Sequence, residues 1–329
     1  MLLLSVVAVG QNEVLLSRYY QNAPAFSPSL TGVENFLDVK AGFRRQWSGF
    51  TDAPQTIYLG VYGVLKSDDK YSIKEYSLRI SDPRVYNSQE PVKVKKRDAV
   101  KHGLGFYLFN EEQGPFSQLQ AFGNYAFHYP INDRTYLSAG ISAGIRNSKI
   151  NINDVTVRDP INDQVYQSYL AQGSSNTFFE SNLGVSLYSS KYYISYSGMK
   201  VVQSLIAGNE NISFDNTGIR HHVLAGLRLP VSETLLVMPG VFLRAEPNTP
   251  ATWELNGRVR YKDMFSAGIG YRNDNTVVGM LGFIVNDMIN IGYSYDANTS
   301  DIADFSNGSH EIVVGLMLFK PERILPYLF

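Results

Sequence analysis

Residues 264–272 read MFSAGIGYR, residues 276–286 read TVVGMLGFIVN, and residues 288–297 read MINIGYSYDA. In the first run Phe265, Ala267, Ile269 and Tyr271 alternate with Ser266, Gly268, Gly270 and Arg272. In the third, Ile289, Ile291, Tyr293 and Tyr295 alternate with Asn290, Gly292, Ser294 and Asp296. A period of two marks strands with one apolar face. The opposite faces carry glycine, serine, asparagine, arginine and aspartate, which make a poor protein core. A soluble sandwich would bury the apolar face, whereas a transmembrane barrel turns it toward lipid and turns the polar face toward a wet lumen. The separators Asn273-Asp274-Asn275 and Asn286-Asp287 are turn residues spaced as in a hairpin meander.

Working outward, the same unit recurs. Fourteen candidate strands fall at about 34–47, 53–65, 101–109, 116–129, 135–148, 178–189, 191–203, 219–230, 234–245, 251–262, 264–272, 276–286, 288–297 and 309–319. Most are near the ~9–11 residues that a tilted membrane strand needs. An even number returns both termini to one side, as single-chain bacterial barrels require. With both termini in the periplasm, the periplasmic turns are short, around 131–134, 190, 231–233, 263 and 287. The long connections 149–177, 204–218 and 298–308 then face outward. Residues 66–100 break the rule: they should be periplasmic, yet the segment is long and carries Lys93, Lys95, Lys96 and Arg97.

Composition agrees. Of 329 residues, 18% are charged, below the roughly 25% usual for soluble domains. There are 22 tyrosines and 27 glycines, and no apolar run long enough for a membrane helix. The net charge of −1 gives no footprint for nucleic acid. The absence of cysteine excludes a disulfide framework and thiolate metal sites.

Residues 1–10, MLLLSVVAVG, resemble the end of a truncated signal peptide. Residues 11–33 form an aromatic-rich leader. Its Pro24, Pro28 and Gly32 forbid a regular helix or a central strand. Such a leader could pack inside the barrel or close its periplasmic mouth. The barrel proper is expected over 34–320, with a periplasmic tail at 321–329.

Alternation also assigns faces. On the first strand Leu37, Val39, Ala41, Phe43 and Trp47 would face lipid, and Arg45 would snorkel to the headgroups. Asp38, Lys40, Arg44 and Gln46 would face the lumen. The same rule puts Arg146, Glu180, Arg228, Glu254, Arg258, Arg260, Arg272, Asp296 and Glu311 inside. An anion pore would show one sign in excess. Mixed signs suit a lumen knitted by paired side chains or filled by an inserted segment, and fourteen strands leave room for a plug.

No constellation specifies chemistry. His221 and His222 point to opposite faces of a strand and cannot chelate one metal; they read as a rim or headgroup-level pair. Asp154, Asp159 and Asp163, like Asp296, Asp301 and Asp304, lack calcium-loop spacing. His128 and His310 have serines around them in sequence, but no spacing singles out a triad. The expectation is a protein that is no enzyme and needs no metal or cofactor.

The leader Ser17-Arg18-Tyr19-Tyr20-Gln21-Asn22-Ala23-Pro24, running on through Pro28 to Gly32, resembles the start of the PorP/SprF family. These are outer-membrane proteins of the type IX secretion system of Bacteroidota. Arg44, Gln46, Trp47 and Gly49, followed by Pro54, match the family's strand ending Tyr-Arg-x-Gln-Trp-x-Gly. Gly308, Ser309, His310, Glu311 and Ile312 match its C-terminal signature. Ser27 stands where the family usually has asparagine, and Phe43 replaces tyrosine. The resemblance implies a non-enzymatic barrel that serves secretion, gliding or surface attachment. Tyr20, Pro24 and the other motif positions would then be structural or partner-binding. The implied partners are a secreted or surface protein with a C-terminal sorting domain, such as an adhesin, other type IX components of the periplasm or outer membrane, and outer-membrane lipid. The alternative is a FadL-type transporter of hydrophobic small molecules. That channel would need an apolar inner pocket and a kinked strand opening to lipid.

Overall fold

The computed structural model describes residues 14–65, 100–132, 135–208, 218–262, 264–286, 288–299 and 306–319. The expected signal segment, the 66–100 connection apart from its last residue, and the tail at 321–329 lie outside the described residues, as do Asp301 and Asp304.

The wall consists of β1 (Leu37–Arg45), β2 (Gln55–Leu65), β3 (Lys101–Gln113), β4 (Phe116–Asn132), β5 (Thr135–Ile150), β6 (Ser175–Ser189) and β7 (Tyr192–Ala207). It continues with β8 (Arg220–Leu227), β9 (Leu229–Ser232), β10 (Leu235–Ala245), β11 (Thr252–Tyr261), β12 (Phe265–Arg272), β13 (Thr276–Ile284), β14 (Ile289–Asn298) and β15 (Ser309–Leu318). Neighbours pair antiparallel, and β1 pairs with β15 from Leu37↔Leu318 to Arg45↔His310. The sheet therefore closes on itself, which removes the exposed strand edges that lipid cannot satisfy.

β8 and β9 are two segments of one stave, so the closed antiparallel barrel has fourteen staves. The single strand expected at 219–230 is interrupted at Arg228. The cause lies on the facing strand: Gly240 pairs with Gly226 and Val237 with Leu229, which sets Pro239 at the break. Proline has no N–H to give to the ladder. The register is the same above and below the break, so the wall loses a rung without parting.

Two further expectations change in detail. β1 ends at Arg45, and Trp47 lies beyond it in a turn with φ 48°, not on the lipid face of the strand. The connection after β5 contains a helix, Gln164–Gln172, whose N-cap Asp163 accepts the Tyr166 N–H at 2.9 Å.

The face rule holds along the wall. Phe43, Ile57, Ile141, Val185, Leu255, Ile269, Leu281 and Ile312 are outward and exposed. Their neighbours in sequence, such as Arg44, Thr56, Ser142, Ser186, Glu254 and Glu311, are buried inside. What buries them is the leader: all twenty residues from Val14 to Val33 are buried. Tyr19–Asn22 and Pro28–Leu30 form single 3-10 turns, and Ala23–Phe26 forms one α-turn. The two prolines prevent anything longer.

Candidate functional site

The inside of the barrel and its long-loop mouth are where the polar side chains converge. The leader runs lengthwise through the lumen. Its start lies level with the ends of β1, β14 and β15 that carry the long loops. Its finish lies level with Lys101, the first residue of β3, at the short-turn end.

Five leader carbonyls, left unpaired by so irregular a backbone, are each met by a wall side chain. Asn124 donates to Pro24 O at 3.0 Å, and Ser197 and His222 donate to Phe26 O at 2.6 and 3.1 Å. Ser138 donates to Ser29 O at 2.5 Å, His128 Nε2 to Thr31 O at 2.8 Å, and Lys101 Nζ to Val33 O at 3.3 Å. Because Nε2 of His128 gives its hydrogen to Thr31, Nδ1 accepts from the Tyr188 hydroxyl at 2.9 Å, which fixes the tautomer. Ser27, in the family's asparagine position, keeps a side-chain bond: its hydroxyl lies 2.6 Å from Ser195 and 3.0 Å from Ser29.

The fit is close enough to require glycine in the wall. A Cβ at Gly103 would stand 2.0 Å from Thr31 O, and one at Gly140 would stand 2.4 Å from the Pro28 carbonyl carbon. Larger residues there would occupy the leader's own volume.

At the long-loop end an ionic network holds the start of the leader. Arg44 reaches Asp296 at 2.8 Å and Glu311 at 3.6 Å. Arg272 reaches Glu254 at 2.8 Å and Asp296 at 3.4 Å. Ser17 sits among them: its hydroxyl donates to Asp296 at 2.6 Å and accepts from Arg44 at 2.9 Å, while its N–H donates to Glu311 at 2.7 Å. Tyr58 donates to the other Glu311 oxygen at 3.0 Å. Arg18 turns back and donates to the carbonyls of Leu281 and Tyr293 at 2.9 and 3.1 Å. Removing one member would leave an uncompensated buried charge, a change that costs about 3–5 kcal/mol in comparable sites.

Asp38, Lys40, Arg146, Glu180, Arg228, Glu254, Arg258, Arg260 and Arg272 are all buried inside. They do not form one cluster. Asp38 pairs with Lys40 at 2.6 Å at the short-turn end, and Arg146 pairs with Glu180 at 2.7 Å on another part of the wall. Arg258 lies over the Tyr20 ring at 3.5 Å.

The motif positions divide by depth. Tyr20, Pro24, Pro28 and Gly32 belong to the leader, and Gly32 takes φ 75°. Arg44 and Glu311 belong to the ionic network. Gln46, Trp47, Gly49 and Pro54 shape the β1–β2 corner. There Gln46 N–H donates to Pro54 O at 2.8 Å, Trp47 N–H donates to Ser309 Oγ at 3.1 Å, and Gly49 has φ 108°. His310 points outward, away from all of these.

Residues that charge alone did not single out include Ser17, Tyr58, Asn124, Ser138 and Ser197. Each lies on the inner face by alternation or in the leader, so period two could have flagged the wall members. Nothing in the sequence ties them to particular leader carbonyls. The His221–His222 reading changes as well: only His221 faces outward, bonded to Tyr196 at 2.8 Å, while His222 is fully buried against Phe26. The outer-loop aspartates are engaged locally: Asp154 with Asn151, Asp159 with Asn162, and Asp163 with its helix. Among the described residues no three metal-ligating side chains converge.

A closed fourteen-stave cylinder, apolar outside and filled inside by its own leader, defines a plugged β-barrel of the bacterial outer membrane. Residues 8–316 match the family described as type IX secretion system membrane protein PorP/SprF, and the chain belongs to that family. That description is of a secretion-system membrane barrel and names no catalytic activity. No curated protein matches the chain.

Among solved structures, the chain is similar to the toluene transporter TbuX of Ralstonia pickettii, with 9% identity, TM-score 0.46, and 90% of this chain and 92% of that one covered. It is also similar to the outer membrane protein Omp33 of Acinetobacter baumannii, with 6% identity, TM-score 0.46, and 88% and 100% covered. A mutant porin of Rh. blastica matches with 8% identity, TM-score 0.34, and 86% and 99% covered.

Proposed function

We propose that this barrel is a non-enzymatic anchor that binds a partner protein at its long-loop mouth. The partner would be a secreted or surface protein carrying a C-terminal sorting domain, such as an adhesin. The observation that supports this reading best is the filled lumen. With twenty leader residues buried along its length, the inside of the barrel is occupied by the protein itself. What a partner can touch is then the rim.

The rim supplies suitable surface. The connection between β5 and β6 presents the helix Gln164–Gln172, and Ile161 and Leu170 on that connection are 83% and 54% exposed. These two aliphatic side chains lie beyond the strand ends, where a partner approaching the rim would meet them. The long loops would face outward, with the short turns toward the periplasm and the other secretion components.

The test is deletion of residues 151–174, joining the ends of β5 and β6 by a short turn. Affinity isolation of the tagged barrel in mild detergent would identify the partner from the intact protein. Loss of that partner from the deletion variant, with its release from the cell surface, is the expected result. Unchanged surface retention would remove this loop as the holder.

The transporter alternative finds less support. The hydrophobic cluster inside the barrel, including Tyr19, Phe26, Leu224 and Phe242, is filled by leader side chains. The break at Pro239 leaves the register intact. Fatty-acid uptake equal in the presence and absence of the barrel is the expected result.

A further inference from the structure

One polar motif residue on the wall points away from the lumen. In Gly308–Ile312, alternation sends Ser309 and Glu311 inward and leaves His310 on the outer face. Its register partner across the β1–β15 seam is Arg45, and the partner of Arg45 on the other side is Gln55. Arg45 is exposed and has no ion-pair partner among the described residues. Directly below this polar row stand Phe43, Ile57 and Ile312, all exposed and apolar. The row therefore marks the level at which the wall passes from hydrocarbon to headgroups.

His310 is held in place. The Tyr293 hydroxyl lies 2.8 Å from its Nδ1, and the Tyr295 ring lies 5.2 Å from its own. If Tyr293 donates, Nε2 carries the hydrogen and offers it outward. The corner beside it is tied across the seam: Trp47 N–H donates to Ser309 Oγ, Ser48 N–H to Gly308 O at 2.7 Å, and Asn307 N–H to Ser48 O at 2.6 Å.

We propose that Arg45 and His310 form an outward-facing site for the phosphate of a lipid headgroup, in the leaflet at the long-loop end. A guanidinium matches phosphate with paired hydrogen bonds, and an imidazole N–H beside it supplies a third donor. The apolar row beneath selects the source of the phosphate. A ligand whose acyl chains lie along Phe43, Ile57 and Ile312 delivers its headgroup to Arg45, whereas a free phosphate ion gains nothing from that surface.

The molecule contains its own controls. Tyr196–His221 and His102–Tyr125 repeat the hydroxyl-to-Nδ1 contact at 2.8 Å on the outer face. Their register partners are Ala245 and Gly198 for His221, and Phe127 and Leu65 for His102. Neither pair has a cation in register beside it.

The test places full-length protein in nanodiscs of mixed phosphatidylcholine and phosphatidylglycerol. Co-released lipid is then counted by mass spectrometry. The wild type should enrich phosphatidylglycerol about fivefold over the bulk mixture, the scale of one basic residue at a lipid surface. Arg45→Gln should abolish the enrichment, His310→Leu should reduce it, and His221→Asn should leave it unchanged. Heat-modifiable migration on gels verifies that each variant is folded. Absence of enrichment, enrichment that survives Arg45→Gln, or its displacement by millimolar inorganic phosphate would overturn the proposal.

Discussion

Arg44 on β1 and Asp296 on β14 meet at 2.8 Å across the intervening strand β15, with the hydroxyl of Ser17 wedged against both. Strands that are not neighbours in the wall are thus joined directly and a second time through the leader. The barrel and its contents share one set of bonds at the long-loop end.

That junction should be sensitive to the loss of one charge. Arg44→Met leaves Asp296 and Glu311 buried with less compensation, at a cost of about 3–5 kcal/mol. Ser17→Ala removes a neutral hydroxyl bonded to two charged groups and should cost about 1.5–3 kcal/mol, with both ions still paired. Urea unfolding in micelles, read by tryptophan fluorescence, should rank Arg44→Met well below Ser17→Ala. Equal midpoints would mean that the network adds little to stability.

The close wall should control whether the leader stays seated. Gly140→Val puts side-chain atoms where the Pro28 and Ser29 backbone lies. The chain has no cysteine, so Ala25→Cys is a clean reporter. A maleimide should label Ala25→Cys slowly in the parent. Labelling should be at least about tenfold faster when Gly140→Val is added, the factor expected from ~1.4 kcal/mol of displaced equilibrium. Equal rates would show that the leader tolerates the added bulk.

The filled lumen should oppose ion flow. In planar bilayers the intact barrel should conduct little, and deletion of residues 14–33 should open a pore, since fourteen staves enclose more space than wall side chains alone fill. Large steady currents through the intact protein would contradict the occluded state.

Lys101 anchors the other end of the leader, donating to Val33 O and to Asn35 at 3.0 Å. Lys101→Met keeps the apolar stem and removes the charge and the donors. We expect local loosening without loss of the barrel: faster amide exchange at Val33 and Asn35, with little change near Ser17. A uniform rise in exchange along the whole leader would show instead that it moves as one unit.

Much of the wall was legible from the sequence because closure in a membrane imposes period two on every strand. Ile269 and Gly270, or Glu311 and Ile312, declare their faces without reference to the rest of the chain. The interruption at Arg228 was not legible within its own strand, because its cause, Pro239, lies on the neighbour. The seats of the leader were hidden for a related reason. That Asn124 meets Pro24, or His128 meets Thr31, follows from how an irregular chain threads a cavity, and no local pattern encodes such a path. His222 was misread for the same reason: its partner is the carbonyl of Phe26, which lies 196 positions away.

The leader's bonds also tie its two ends to different parts of the wall. Its lower end leans on staves near the start of the wall, through Asn124, His128 and Ser138, while Ser17 depends on Asp296 and Glu311 on the last two strands. Ser17 therefore cannot reach its final seat until the last hairpin arrives. That hairpin also carries the edge that zips onto the first strand. Sealing the cylinder and locking its stopper therefore draw on the same pair of strands.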